Sequence, residues 1–151
     1  MSITAPGLYG LTLEKFLNAT SLPSSGLESE TAVKVLMATD SYTPDFNADN
    51  FRDDVTNEVT GTGYTAGGVV ITSTELTVAT GVLTYDAADA SWSSSTISNA
   101  MAAVGYFARG GASSADELVF LSDFVTAAST TNGTFLVQWN ASGIFTVDFT
   151  P

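Results

Sequence analysis

From Val69 onward the chain is cut into short runs of β-branched and aromatic residues: VVIT, LTVA, VLTYDA, ASWS, ELVFLSDFV, TFLVQW and IFTVDF, separated by Gly, Asn, Asp or Ser. Runs of this length, each closed by a turn-forming residue, suit strands that fold back on one another in an antiparallel sheet. A helical core would need apolar residues at i, i+3 and i+4 over longer stretches. Only Thr12 to Ala19 (TLEKFLNA) offers that, with Leu13, Phe16 and Leu17 on one side and Thr12 placed as N-cap. The sequence thus predicts a mainly β fold, an antiparallel β-sandwich of Ig-like or jelly-roll-like type, preceded by a short N-terminal arm and helix.

The predicted organisation is an arm, helix and Ser/Pro/Gly loop over residues 1–29, followed by one β-sandwich domain over residues 30–151. At 151 residues one domain with its own core is the expected scale. VKVLMATDSY predicts the first strand of the sandwich, with Val33, Val35 and Met37 alternating with Lys34 and Leu36. TFLVQWN and GIFTVDF, joined by Asn140-Ala141-Ser142-Gly143, predict a terminal hairpin in which Phe135, Val137 and Trp139 alternate. ISNAMAAVGYFARGG fits a helix through its alanines, or a strand through Val104, Tyr106, Phe107 and the flanking Gly105 and Gly110; strand is the preferred reading. No fixed internal period points to a solenoid or propeller.

Charge and residue usage limit the chemistry. Sixteen acidic residues against Lys15, Lys34, Arg52 and Arg109 give a net charge of -12, which repels phosphate backbones and anionic membranes, so neither is an expected partner. With no Cys and no His, disulfides, thiolate chemistry, zinc cages and triads built on histidine are out of reach. The N-terminal residues MSITAPGLYGLTLEKF carry no basic segment, and Pro6, Gly7, Gly10 and Glu14 interrupt any apolar stretch, so no secretory signal is expected there. The sequons at Asn18, Asn132 and Asn140 accordingly read as chance in a Ser/Thr/Asn-rich chain.

Two stretches invite a ligand. VTNEVTGTGYTAGG (residues 55–68) has four glycines, but no Gly-Lys-Ser/Thr follows, Ala66 breaks the G-x-G-x-x-G spacing, and the next run is a strand rather than a helix. The better reading is a close backbone crossing between strand segments, permitted by glycine and covered by Tyr64. DFNADNFRDD sets Asp45, Asn47 and Asp49 in the D-x-N-x-D order of a calcium loop, yet Asn50 stands where glycine is needed and Thr56 where a bidentate glutamate is needed. A solvated loop, with a helical turn capped by Asp45 or Asp49, is the preferred reading, and no metal or cofactor is expected. Asp86 and Asp89, and the pair Asp116 and Glu117, read as turn residues ahead of strands, and no carboxylate pair stands out as a hydrolytic couple.

The whole chain nevertheless resembles a family of small structural proteins encoded by tailed bacteriophages. The resemblance is carried most specifically by VTNEVTGTGYTAGG, and also by LEKFLNAT, VKVLMATDSYTP, LTYDAADASW and the closing WNASGIFTV. It departs from the family pattern in the Ser/Pro-rich connection at 21–29 and the alanine-rich stretch 100–108. The resemblance implies a virion part without enzymatic activity, most specifically a capsid decoration (cement) protein on the outer head surface, assembled in the bacterial cytoplasm. Its implied partner is the major capsid protein, and a homo-oligomer, a trimer at a threefold position, is expected. The arm ITAPGLYGL, with Leu8, Tyr9 and Leu11 among glycines, is the expected partner-binding segment, against the alternative that it packs on its own domain. A head fibre, tail accessory or host-adsorption part is the alternative role, in which Tyr64, Tyr85, Trp92 or Tyr106 would face cell-surface sugar. A carboxylate-pair polysaccharide hydrolase is the alternative from another class.

Overall fold

The strand that begins the β domain shows why its sequence does not alternate cleanly. Val33–Thr39 (β2) is flanked on both sides and packed on both faces: Val33, Val35 and Met37 enter one core while Leu36 and Ala38 enter another. A strand buried on both faces has no solvent side on which polar residues are required, so its sequence becomes a near-continuous apolar run.

The computed structural model of the chain describes residues 6–17, 26–28 and 33–148. In chain order it gives β1 (Gly7–Leu8), α1 (Gly10–Leu17), β2, a 3-10 turn (Arg52–Asp54), β3 (Gly61–Thr62) and β4 (Val69–Val70). There follow β5 (Glu75–Ala79), β6 (Val82–Asp86), β7 (Ala90–Phe107), a second 3-10 turn (Ser113–Ala115), β8 (Leu118–Val137) and β9 (Phe145–Asp148). The fold is mainly β, and every strand pair among the described residues is antiparallel. A large sheet runs β1-β8-β7-β2-β4, with β3 also on β7, and a small sheet runs β5-β6-β9. The small sheet lies against one face of the large one in a sandwich-like arrangement. An aromatic seam joins them: Tyr85 of β6 lies 6.2 Å from Phe120 of β8, and Phe145 of β9 lies 5.3 Å from Tyr85 and 6.2 Å from Phe120. The opposite face of the large sheet is covered by Tyr9, Tyr42 and Val55, with Phe46 beside them.

The alanine-rich stretch 100–108 falls largely in β7, so the strand reading holds and the helix alternative is set aside. Its composition follows from its place between β2 and β8, with Ala102 on one face and Ala103 on the other. At Gly105 a Cβ would stand 2.1 Å from the Phe120 ring, so the ring fills the place a side chain would take. The β7–β8 ribbon is long and repeatedly shifted in register. Ser94, Asn99, Val125 and Asn132 adopt positive φ within those shifts, and each extra residue bends the ribbon and increases its twist.

Two local expectations are corrected. The terminal hairpin does not form: β8 ends at Val137 on β7, whereas β9 pairs with β6 in the other sheet. Phe135, Val137 and Trp139 do alternate into the core, but the Asn140–Gly143 turn carries the chain across the sandwich, with the Ile144 N–H donating to the Tyr85 carbonyl. Apolar alternation on two successive runs is equally satisfied when they face one core from opposite layers. The helix starts at Gly10 rather than capping at Thr12, whose hydroxyl instead donates to the Leu118 carbonyl of β8. Ala19 and the side chains of Leu13, Phe16 and Leu17 lie outside the described residues, as do most of the 21–29 connection and the sequon at Asn18.

Candidate interaction surface

The glycine-rich stretch is a structural joint. Val59 N–H donates to the Met37 carbonyl and Thr39 N–H to that of Asn57, so residues 57–59 run along the end of β2. β3 then pairs with β7 through Gly61↔Ile97 and Thr62↔Thr96. Gly68 has φ +67, and a Cβ there would meet the Val35 carbonyl oxygen at 1.8 Å, so the chain crosses β2 closer than any side chain permits. Tyr64 covers the joint. Its hydroxyl donates to Glu58 Oε1 at 2.6 Å and accepts from Met37 N–H at 3.1 Å, while its ring stacks on Trp92 at 5.9 Å. Glu58 Oε1 also accepts from Gly67 N–H at 2.6 Å, and the Tyr106 hydroxyl donates to the Gly67 carbonyl at 2.6 Å. Burial raises the Tyr64 phenol far above the ordinary tyrosine range, with the hydrogen bond to Glu58 acting in the same direction.

The acidic run is likewise consumed by local structure. Asp45 Oδ1 accepts from the N–H groups of Asn47 and Ala48, capping a single turn as expected of it, and Asp49 Oδ2 accepts from Tyr42 and from Asp45 N–H. Asp54 Oδ2 accepts from Asn50 and Phe51 N–H at the head of the first 3-10 turn. Asn47 is exposed, and among the described residues no three His, Cys, Asp or Glu side chains gather in a metal-holding group.

Of the segment expected to meet a partner, residues 3–5 lie outside the described residues and the rest packs on the domain. Gly7 pairs with Leu121 and Leu8 with Phe120, which makes β1 an edge strand of the large sheet. Tyr9 is buried, and its hydroxyl lies 2.9 Å from that of Tyr42. Because Tyr42 gives its single proton to Asp49 at 2.7 Å, Tyr9 is the donor between the two phenols. Leu8 packs half-buried on the core, and Leu11 is half-buried. These residues thus pack on their own domain, the alternative reading of the arm, and Tyr9, with a desolvated, hydrogen-bonded hydroxyl, is a core anchor. Tyr85, Trp92 and Tyr106 are also buried and Tyr64 is half-buried, so these rings form core and not a sugar platform.

Sequence reading missed the pairing of Asp116 and Glu117. Both are buried at the β7–β8 turn, where Arg52 Nε donates to Asp116 at 2.9 Å and Arg109 holds Glu117 through Nε and Nη2, each at 2.7 Å. Arg109 N–H also donates to Asp116 at 2.8 Å, and the Arg52 guanidinium lies 5.3 Å from the Tyr106 ring centroid. Desolvation pulls the Arg52 pKa down, but the hydrogen bond and charge of Asp116 outweigh it and the net shift is upward; the Glu117 contact raises that of Arg109. These side chains are 64 and 8 residues apart from their partners, and spacing alone does not mark the first of these pairs.

A surface also emerges that no short motif announces. Residues 59–74, 90–108 and 124–147 contain no charged side chain, although the chain has 20. The topology brings parts of these segments together, because β3 lies on β7 at Thr96 and Ile97 while β8 lies on β7 from Ala90 to Ala100. The result is a charge-free zone of the large sheet whose exposed positions include Thr62, Ser91, Ser93, Thr131 and Thr134. Two exposed large apolar residues stand on β8, Leu136 (52%) within this zone and Val125 (79%) at its end, beside Asp123. Among the described strands β8 has only β7 as a partner beyond Leu121, so no described strand covers its outer edge there. Long charge-free segments were visible in the sequence; that parts of them adjoin on the large sheet was not. The chain matches no protein-family model, no curated protein and no solved structure.

Proposed function

We propose that the chain is a structural protein of a tailed-bacteriophage particle, a capsid decoration (cement) protein that binds the outer surface of the head and stabilises it. The family resemblance supplies the class, and the observation that carries it is the segregation of charge. All 20 charged side chains lie outside three segments, parts of which (residues 61–62, 90–100 and 128–137) adjoin in one zone of the large sheet. Protein interfaces are depleted of charge at their centres, so a neutral zone on a molecule of net charge -12 is the surface on which another protein docks at least electrostatic cost. The acidic loops containing Asp40, Asp45 and Asp53 then remain in solvent.

The partner on this reading is the major capsid protein, and the chain acts as a homo-oligomer, a trimer at a threefold position of the shell. No chemical step is required. A protein that binds the assembled shell and not its free subunits shifts assembly by mass action, and several modest contacts in one oligomer add through effective concentration. The motif 55–68 serves this role indirectly, since it fixes β3 against β7 and thereby builds the docking zone.

The test is position and effect on the particle. Reconstruction of purified virions should show the chain at many copies over the head, and heads lacking it should break at lower temperature or at lower osmotic stress. Density confined to the tail would overturn the decoration role in favour of a tail or adsorption part. Absence from the particle would overturn the virion reading.

A further inference from the structure

We infer that the outer edge of β8, from Val125 to Val137, is completed on the head by an extended, charge-free segment of the shell protein that pairs with it as an additional strand. The inference rests on the decoration reading and names the element that docks.

An open strand edge exposes backbone donors and acceptors that attract any passing strand, and proteins ordinarily guard such edges with lysine, other charges, proline or β-bulges. This edge has neither charge nor proline from Phe124 to Val137, in a chain with 20 charged residues, and only bulges guard it. It has bulges at Val125 and Asn132, where φ is +63 and +49. Valine is among the least suitable residues for left-handed backbone because its branched Cβ crowds the neighbouring carbonyl. Here the strained valine is 79% exposed, and its N–H is held by Asp123 Oδ1 at 2.7 Å. Strain spent on presenting an apolar side chain to solvent is expected where that side chain meets a partner.

The same edge already accepts an extended segment. β1 lies on β8 at Phe120 and Leu121 in antiparallel register, and Tyr9 N–H continues the ladder to the Val119 carbonyl. The open stretch continues directly from this pairing, so a further extended segment finds an edge whose orientation and accessibility are shown by β1. Charge and shape together select its occupant. A second copy brings another net charge of -12, and its own β8 edge is bent at the same two bulges. Two rigid, kinked edges do not remain in hydrogen-bonding register along their length, whereas a flexible segment follows the bends and orders as it binds. The lack of charge on the edge selects a segment with little charge of its own.

The experiment is hydrogen exchange on the full chain, free and bound to purified heads assembled without it, with a dilution series of the free chain as reference. Amides between Val125 and Val137 should exchange about tenfold or more slowly on heads, and not with increasing concentration of the free chain. A double variant, Thr131→Lys with Thr134→Lys, should lower occupancy on heads about tenfold or more while near-UV circular dichroism stays unchanged. Thr77→Lys, exposed on the small sheet, should leave occupancy as it was. Binding to heads without slower exchange in 125–137, or wild-type occupancy by the correctly folded double variant, overturns the edge inference and leaves the decoration reading standing. Slower exchange that follows protein concentration in the absence of heads overturns the shell strand in favour of a second copy. No binding to heads overturns both readings.

Discussion

Gly68→Ala tests whether the glycine-rich joint is a steric requirement, and Gly110→Ala supplies its matched control. Both glycines have positive φ, +67 and +76, so an alanine at either position meets the left-handed backbone penalty. That penalty is about 1–2 kcal/mol, reduced by about 0.4–1 kcal/mol because alanine also restricts the unfolded chain. Around Gly110 nothing lies within 4 Å of an added Cβ, so its loss should stop at about 1 kcal/mol. At Gly68 the same atom would stand 1.8 Å from the Val35 carbonyl oxygen and 2.7 Å from Leu36 Cα. These are backbone atoms of β2, paired on both sides and buried on both faces, and they have no empty side to which to retreat. Overpacking a rigid site adds about 1–3 kcal/mol, for a total of about 2–4 kcal/mol. That is a large share of the roughly 5–15 kcal/mol available to a domain. Urea unfolding followed by fluorescence of the buried Trp92 and Trp139 reads the difference directly. Equal losses in the two variants would refute the close crossing and leave only the conformational preference of glycine.

Three further outcomes follow from the same geometry. Asp116→Ala removes the acceptor of both the Arg52 side chain and the Arg109 N–H, and should cost about 2–3 kcal/mol in urea unfolding, whereas Asp53→Ala at an exposed position should cost under about 0.5 kcal/mol. Glu58→Gln weakens an acceptor shared by Tyr64 and Gly67 N–H and should cost about 1–2 kcal/mol, with Trp92 fluorescence reporting the loosened Tyr64 stack. Burial raises the pKa of all five tyrosines, that of Tyr106 to about 12, so their stabilising contribution is complete below the unfolded value of 10 and is lost as pH rises through the folded values. Phenolate absorbance should consequently stay low at pH 10 and appear at about pH 12 together with loss of near-UV circular dichroism; independent titration near pH 10 would show that the rings are not buried as described.

The β class was legible because period and turn residues are local properties, and they survive whatever the strands pack against. The glycine joint was legible for a similar reason: failure of the phosphate-loop spacing, followed at once by a strand, leaves close backbone approach as the remaining use of Gly67 and Gly68. Partner choice is different in kind. Asn140–Gly143 carries the same turn chemistry whether it closes a hairpin or turns a corner, and only the position of β6 decides that Phe145 pairs with Tyr85. Leu8 and Tyr9 read as an exposed arm because nothing near them in sequence shows that Tyr42 lies ready to receive the Tyr9 hydroxyl.

The charge-free zone lies between these cases. Each charge-free segment is visible in the sequence, but absence of charge in one strand has a bland explanation, burial, and Ile97, Ala100 and Ala103 are indeed buried. What burial does not explain is neutrality at exposed positions of adjacent strands. Ser91 stands opposite Leu136 on β7 and β8, both exposed, and Thr62 of β3 pairs with Thr96 of β7. Solvent would accept lysine or glutamate at the exposed sites, and on an edge strand such residues would guard against unwanted pairing. Their absence from these exposed positions, in a molecule whose loops carry many carboxylates, is the observation on which the docking proposal rests. It directs attention to the outer edge of β8 and away from the rings of the core.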